Sequence, residues 1–404
     1  MTRSPGLVLA FNAGSSSLKF EVFAADGSLE TRVRGAVRDL GRPHCAFHAD
    51  GAAAQTLGAG LGPAEAAAYV LRRLFDGGFG AEVRPDRVRA TAHRIVHGGP
   101  RFAAPVRVTA GIEDRLRALG EIAPLHNPPA IAVMDAVRAA FRDVPAVAVF
   151  DTAFFRTLPA HARVYAIPAA WRERFGIERY GFHGIAHEYL CGRVTELAGR
   201  APRRVLSLQL GQGCSIAALA DGRPVDTSMG FTPLEGLVMG TRPGDLDAGA
   251  VVHLARHGVD VQALDEGLNR ASGLLALSGA TDDMRELLAL EAQGHGGAGL
   301  AIAAFCHRLC KYIGAYAAVL GGVDAIAFGG GIGEHAPSIR ARVCRRLEWL
   351  GVELDEAANE RAIGTEATLS AARSRVAVFC IPVREEQIIA RAALAILSDT
   401  EEGA

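Results

Sequence analysis

Arg94 lies in Thr91-Ala-His93-Arg94-Ile-Val96-His97-Gly-Gly99, near the end of a strand-like segment and before a double glycine. Arg242 lies in Gly240-Thr-Arg242-Pro-Gly-Asp245-Leu-Asp247, a second glycine-flanked loop. Alone, either arginine reads as a surface ion pair. Two of them beside turns suited to phosphate read differently. Phosphoryl transfer spreads negative charge over equatorial oxygens, and the planar guanidinium fork matches that geometry. Three such turns each follow apolar, strand-like sequence: Gly14–Ser17, Gly211–Ser215 and Gly329–Gly333. Glycines permit close approach, and successive backbone N–H groups cradle anions. The first turn, in Asn12-Ala-Gly-Ser-Ser-Ser-Leu-Lys-Phe20, adds hydroxyls and Lys19. It does not fit the P-loop pattern, which opens a helix; strand-like sequence lies on both sides of it.

Other residues extend this chemistry. In Arg179-Tyr-Gly-Phe182-His183-Gly184, His183 is placed to donate a hydrogen bond to an anion. His183 and His187 are four apart, but no glutamate lies between them and no third ligand is evident, so zinc is not the expectation. Asp151 follows the apolar run Val144–Phe150, and a carboxylate at the C-terminal end of a buried strand is a usual siting of chemistry in open α/β sheets. A magnesium ion needs oxygen ligands, for which Asn12, Asp151, Asp245, Asp247, Glu385 and Glu386 are candidates; spacing does not choose among them. Pro124-Leu-His-Asn-Pro-Pro129 is stiff, either as a plain rigid loop or as the wall of a small apolar pocket through Leu125.

The elements that must position these groups alternate between strand and helix. Strands are expected at Leu7–Asn12, Leu18–Phe23, Arg89–Val96, Val144–Phe150, Val205–Leu210, Ile216–Ala220, Ala325–Phe328 and Val376–Ile381. The second, with Lys19 and Glu21 alternating against Phe20 and Val22, reads as half-buried. Helices are expected at Pro63–Phe75, Glu113–Leu119, Pro128–Phe141, Leu300–Leu320 and Glu385–Leu397. The class is therefore α/β. The strand–turn–strand pattern around Gly211 repeats that around Gly14, which hints at two related halves. The expected boundary falls near Asp151, with one domain at 1–150, a second at 151–385, and residues 386–404 returning to the first.

The chain has 404 residues, 50% hydrophobic, enough for a sizeable core. Its net charge of −1 gives no long-range reason to expect nucleic acid or an anionic membrane as partner. Seven cysteines without C-x-x-C spacing fit a reducing cytoplasm better than a disulfide framework or a metal site. No signal peptide and no membrane-spanning run is evident.

Taken together, these segments resemble the acetate kinases of the acetokinase family, over nearly the whole chain. The matching stretches are Asn12–Phe20, Ala92–Gly99, Pro124–Pro129, Val149–Phe155, Arg179–Gly184, Thr227–Asp247, Ser272–Gly279 and Phe328–Glu334. The resemblance implies two ribonuclease-H-like domains of the actin-like ATPase type, with a nucleotide cleft between them, and a homodimer. It implies direct in-line, Mg²⁺-dependent transfer of a phosphoryl group between ATP and acetate, with Mn²⁺ able to replace Mg²⁺. Carried onto this sequence, Arg94, Asp151, His183 and Arg242 are catalytic, and Asn12 and Glu385 hold the metal. Val96, Leu125, Phe182 and Pro233 wall the methyl pocket. Ser15, Ser17, Lys19, Gln209, Gly211, Gln212, Gly213, Asp283, Met284, Arg285, Gly329, Gly330, Gly331, Ile332 and Gly333 contact the nucleotide.

Two departures stand out. Where the family usually has His-Leu-Gly-Asn-Gly-Ala-Ser, this chain has Gln209-Leu-Gly-Gln212-Gly-Cys-Ser215. Glutamine donates a hydrogen bond but is never cationic, a loss of about 1–2 kcal/mol at a phosphate. Where the family typically has Thr-Asn, Val383-Arg384 precede Glu385-Glu386. Arg384 either points away from the metal or weakens its binding. The departures motivate a second reading, a nucleotide-binding homologue with impaired transfer. A third is a kinase for propionate or another short-chain acid.

Overall fold

The strand β1 (Leu7–Ala13) is buried along its whole length. Its apolar residues fill both faces, so it belongs in the middle of a sheet. In the computed structural model, which describes residues 6–402 apart from Ser15, Ala59 and Glu82, that is where it lies. The chain divides into two units: Met1–Phe154 with Arg384–Ala404, and Phe155–Val383.

The first unit holds β1, β2 (Ser17–Ala24), β3 (Thr31–Arg38), β4 (Ala46–Ala49), β5 (Gln55–Thr56), β6 (Val88–Ile95), β7 (Val106–Arg107) and β8 (Ala146–Phe150). They form one sheet in the order β5-β4-β3-β2-β1-β6-β8-β7. β1, β2 and β3 are successive antiparallel neighbours, whereas β6 and β8 join parallel. Helix Pro63–Phe75 opens with a proline, whose missing N–H costs nothing at that position, and buries Ala66, Val70 and Leu74. Helix Asn127–Ala140 likewise carries its prolines in the first turn, so the stiff Pro124–Pro129 segment is a helix entrance rather than a free loop. The C-terminal helix, Glu385–Glu402, packs on β1, β6 and β8.

The second unit holds β9 (Arg204–Leu210), β10 (Cys214–Ala220), β11 (Arg223–Thr227), β12 (Ala325–Gly329), β13 (Ala367–Thr368) and β14 (Ala377–Cys380), in the order β11-β10-β9-β12-β14-β13. Its first three strands are again an antiparallel meander, and β12 and β14 again join parallel. The two sheets share one plan, the physical content of the repeated hairpin in the sequence.

One expectation needs correction. β2 is not half-buried: Glu21 is 1% exposed and only Lys19 faces solvent. At the third glycine run β12 passes directly into the helix Gly330–His335. Gly330 makes that turn at φ 74°, and a Cβ there would lie 2.7 Å from the Leu210 carbonyl oxygen.

On β6, His93 is buried and stacks on Phe11 with ring centroids 5.4 Å apart. Its Nε2 lies 3.1 Å from Thr91 Oγ1, and its Nδ1 has no partner. Burial, with Arg138 adding to it, lowers its pKa from 6.5 to about 3. The unfolded chain therefore binds a proton that the native state refuses, and stability falls as pH drops from 6.5 toward about 3. His93→Gln should flatten this acid limb in denaturant titrations at stepped pH, leaving stability at pH 8 to report only the lost packing.

Candidate active site

In the first unit the parallel register sets Arg94 beside Val149 and Ile95 beside Phe150, so Asp151 emerges next to the Arg94 side chain. Arg94 Nη2 donates to Asp151 Oδ2 at 2.5 Å and Nε to Oδ1 at 3.1 Å, a two-pronged pair. Nη1 donates to Asn12 Oδ1 at 3.0 Å. Burial opposes the charge on Arg94, but Asp151 and Glu385 overcome it and raise its pKa further. The Asn12 amide then donates from Nδ2 to Glu385 Oε2 at 2.6 Å and to Glu386 Oε1 at 2.9 Å. Asp151, Arg94, Asn12 and the two glutamates thus form one chain of contacts.

Glu385 and Glu386 are each 8% exposed. Burial pushes the Glu386 carboxyl up, Lys19 pulls it down, and the neighbouring Glu385 adds to the rise. Two buried carboxylates side by side are a place where a hard cation relieves a real cost. Asn12 presents its N–H groups to them and its oxygen to Arg94, beside the Glu385 with which it was expected to hold the ion. The oxygens on hand are those of Glu385 and Glu386. Glu386 was one of six undifferentiated candidates; only the end of a helix, seen in space, singles it out. Asp245 and Asp247 are elsewhere employed. Asp245 accepts from Gly236 N and the Tyr312 hydroxyl, and Asp247 caps the helix Ala248–Arg256.

Val96, 6% exposed, follows β6. The next residue is clamped by Asn127, which accepts from His97 N at 3.0 Å and donates to His97 O at 2.9 Å. Sequence reading saw Asn127 only as part of a proline-rich stretch. Leu125 is 37% exposed. Ser17 and Lys19 lie on β2; Ser15 lies outside the described residues.

Arg384 does not face the glutamates' carboxylates. Its Nη2 donates to the Glu21 carboxylate and to Thr31 Oγ1, on β2 and β3. The residue that looked like a threat to cation binding instead neutralises a buried acid.

In the second unit Arg242 Nη1 donates to the Pro233 carbonyl at 3.0 Å. Burial lowers its pKa, and no carboxylate pairs with it among the described residues. Gly213 allows its approach: a Cβ there would lie 2.6 Å from Arg242 Nη2 and 3.4 Å from His183 Nε2. His183 precedes the helix Gly184–Leu197 with φ 58°, an unusual conformation for a side-chain-bearing residue. Phe182 beside it is 2% exposed. Arg179 fixes the segment leading to Pro233, donating to the carbonyls of Thr227 and Met229 and to Glu235.

A cavity of about 390 Å³ is lined by Gly211, Gln212, Asp283, Met284, Arg285, Gly331 and Ile332, among others. Asp283 caps the helix Met284–Ala292 and pairs with Arg285 at 2.6 Å. Gly329, Gly330 and Gly333 belong to the adjoining strand end and helix. Gln212 is exposed, and its side chain covers Gly240. Gln209 is half-buried with Oε1 unpartnered. Cys214 Sγ donates to the Gly211 carbonyl at 3.1 Å, and burial pushes its thiol up to about 12. All seven cysteines are free, and no group of three or more metal-ligating His, Cys, Asp or Glu residues occurs among the described residues. No described helix is long and apolar enough to cross a membrane.

The profile of the acetokinase family matches residues 7–391. The chain is 41% identical to an acetate kinase of Bacteroides thetaiotaomicron over 96% of this chain and 99% of that one. It is 45% identical to an acetate kinase of Deinococcus radiodurans over 95% and 96% of the respective chains. Among solved structures it is similar to Porphyromonas gingivalis acetate kinase, with TM-score 0.88 and 35% identity over 97% of this chain and 100% of that one. It is also similar to a propionate kinase from Francisella tularensis, with TM-score 0.88 and 34% identity over 96% and 99%.

Arg384→Met should destabilise the protein by about 2 kcal/mol, because Glu21 stays buried with weaker partners. Adding Glu21→Gln should recover most of that loss. Urea midpoints of the three variants measure both effects, and additive losses would disprove the pairing.

Proposed function

The chain belongs to the acetokinase family, and from its own residues we propose that it transfers the γ-phosphoryl group of ATP to acetate. The observation that carries this is Arg242: a half-buried guanidinium that pairs with no acid among the described residues is a standing demand for an anion. Arg94 supplies the complementary element, a guanidinium already fixed in orientation by Asp151.

In the reaction, a carboxylate oxygen of acetate attacks the γ-phosphorus in line with the bridging oxygen. The new P–O bond forms as the old one breaks, giving acetyl phosphate and ADP, and the reverse runs through the same state. Acetate is already ionised at neutral pH, so no strong base is needed. Arg94 and Arg242 balance the charge on the equatorial oxygens and the acetate carboxylate, and Asp151 holds Arg94 to its direction. His183 donates to the developing charge. Val96, Leu125, Phe182 and Pro233 wall the methyl group. The Gly211–Gly213 turn, Asp283–Arg285 and the Gly329–Gly333 segment receive the nucleotide, with Ser15, Ser17, Lys19 and Gln209 on its phosphates. A neutral Gln209 lowers affinity there without removing any of the charged groups. Catalysis is positioning and electrostatics.

Glu385 and Glu386 fit a Mg²⁺ or Mn²⁺ ion, since such ions take one or two protein carboxylates beside substrate phosphates. When bound, the ion neutralises phosphate charge. Exposed Trp171, Phe175 and Val261 on the second unit support a homodimer, and unpaired cysteines fit a cytoplasmic setting.

A hydroxamate assay with ATP, Mg²⁺ and acetate, propionate or butyrate tests the reading. Acetate should give the highest kcat/KM; a propionate maximum would favour the other family activity, and no acyl phosphate from any acid would refute the enzyme. Arg94→Ala and Arg242→Ala should each lower kcat about a thousandfold with the fold intact. Mg²⁺ affinity should weaken as pH falls through the raised pKa of Glu386, because the protonated carboxyl no longer offers a charged ligand. Titration of Mg²⁺ at stepped pH measures this, and Glu386→Gln should remove the dependence.

A further inference from the structure

Four side chains of the second unit form one continuous hydrogen-bonded file. Ser207 Oγ lies 2.8 Å from His187 Nδ1, His187 Nε2 lies 2.8 Å from Ser215 Oγ, and Ser215 Oγ lies 2.8 Å from His183 Nδ1. Ser207, His187 and Ser215 are wholly buried. The serines come from the antiparallel pair β9 and β10; His187 sits on the helix Gly184–Leu197, which packs against β9, and His183 immediately precedes that helix.

The direction of the file follows from counting protons. Burial keeps the pKa of His187 well below 6.5, so its ring carries one proton. Each serine hydroxyl carries one as well. Among the described residues the Ser207 hydroxyl meets only His187, and the Ser215 hydroxyl meets only the two histidines. If Ser207 donates to Nδ1, His187 must hold its proton on Nε2 and donate to Ser215. The Ser215 proton then goes to His183 Nδ1, and every donor is used. Run the other way, the Ser207 proton has no acceptor in a dry interior.

We propose that this file fixes His183 as a neutral imidazole protonated on Nε2, so that its second ring nitrogen is a ready-made hydrogen-bond donor. Nε2 lies on the side of the ring toward Gly213 and Arg242. A donor of this kind adds no second positive charge next to Arg242, which pairs with no acid among the described residues. It also needs no proton from solvent before turnover. Ser207, His187 and Ser215 are positioning residues that act through His183. The catalytic significance rests on the acetate kinase reading above; the tautomer itself does not.

The test is two-bond ¹H–¹⁵N spectroscopy of histidine-labelled protein at pH 7.5, with His183→Gln and His187→Gln for assignment. Both rings should be protonated on Nε2 alone. A His183 proton on Nδ1, or on both nitrogens, overturns the proposal. Ser207→Ala lies two hydrogen bonds from His183 and leaves one nitrogen of His187 unpaired in either direction, so the bias is removed. Its His183 shifts should move toward a tautomer average, kcat for acetyl phosphate formation should fall about three- to tenfold, and KM for acetate should stay within about twofold. Ser207→Thr, which keeps the hydroxyl, should restore both. A folded Ser207→Ala protein whose His183 stays purely Nε2-protonated also overturns the proposal. The expected spectra from a protein that makes no acyl phosphate would uphold the file and refute the functional reading instead.

Discussion

Two half-buried guanidinium groups have to stay charged, and the chain provides for each differently. Arg94 is given a carboxylate of its own, Asp151, in a two-pronged contact that fixes its plane as well as its charge. Arg242 is given a carbonyl and a glycine to lie against, and no acid among the described residues. The first arrangement makes a rigid tool, and the second leaves a charge open to the anion proposed above. Around them the choice of neighbours follows. Asn12 carries the charge of Arg94 on to the paired glutamates, and Gly213 has no side chain because Arg242 Nη2 needs the space.

One sheet plan, used twice, sets these groups at strand ends. In the first unit Arg94 and Asp151 come from neighbouring parallel strands, where register alone makes them adjacent. In the second, β9 and β10 place Ser207 and Ser215 against the helix that bears His187 and that His183 precedes. The same meander-plus-parallel architecture thus serves a charged lattice in one unit and a neutral hydrogen-bonded file in the other. The difference lies in side chains, not in backbone.

Much of this was legible beforehand. Strand limits were marked by apolar runs ending in glycine or a carboxylate, and helix Pro63–Phe75 falls within the limits that its proline and its Gly77-Gly78 stop suggest. The catalytic candidates stood out because arginine in a glycine-rich loop is an uncommon pattern. What stayed hidden was pairing across long separations. Glu21 alternates with Phe20 and Val22 as if solvent-facing, but it is buried against Thr31, Arg34 and, hundreds of residues later, Arg384. The direction of the Asn12 amide was hidden too, since it depends on which neighbours are acids and which is a base. Gly330 likewise gave no local sign that it would open a helix.

The chain leaves the first unit at Phe154 and re-enters it at Arg384. During synthesis, therefore, the whole of Phe155–Val383 is made while the first sheet still lacks its last helix. Until then Glu21 has no Arg384, and Asn12 faces no glutamates. A nascent chain with Arg94 and Asp151 already in place is still without the carboxylates proposed to hold the cation. Domains tend to fold in the order they emerge, but here the earliest one to appear is the last to be finished. The consequence is a built-in check on completeness: a message cut short anywhere in the second unit yields a protein that lacks both Glu385 and Glu386.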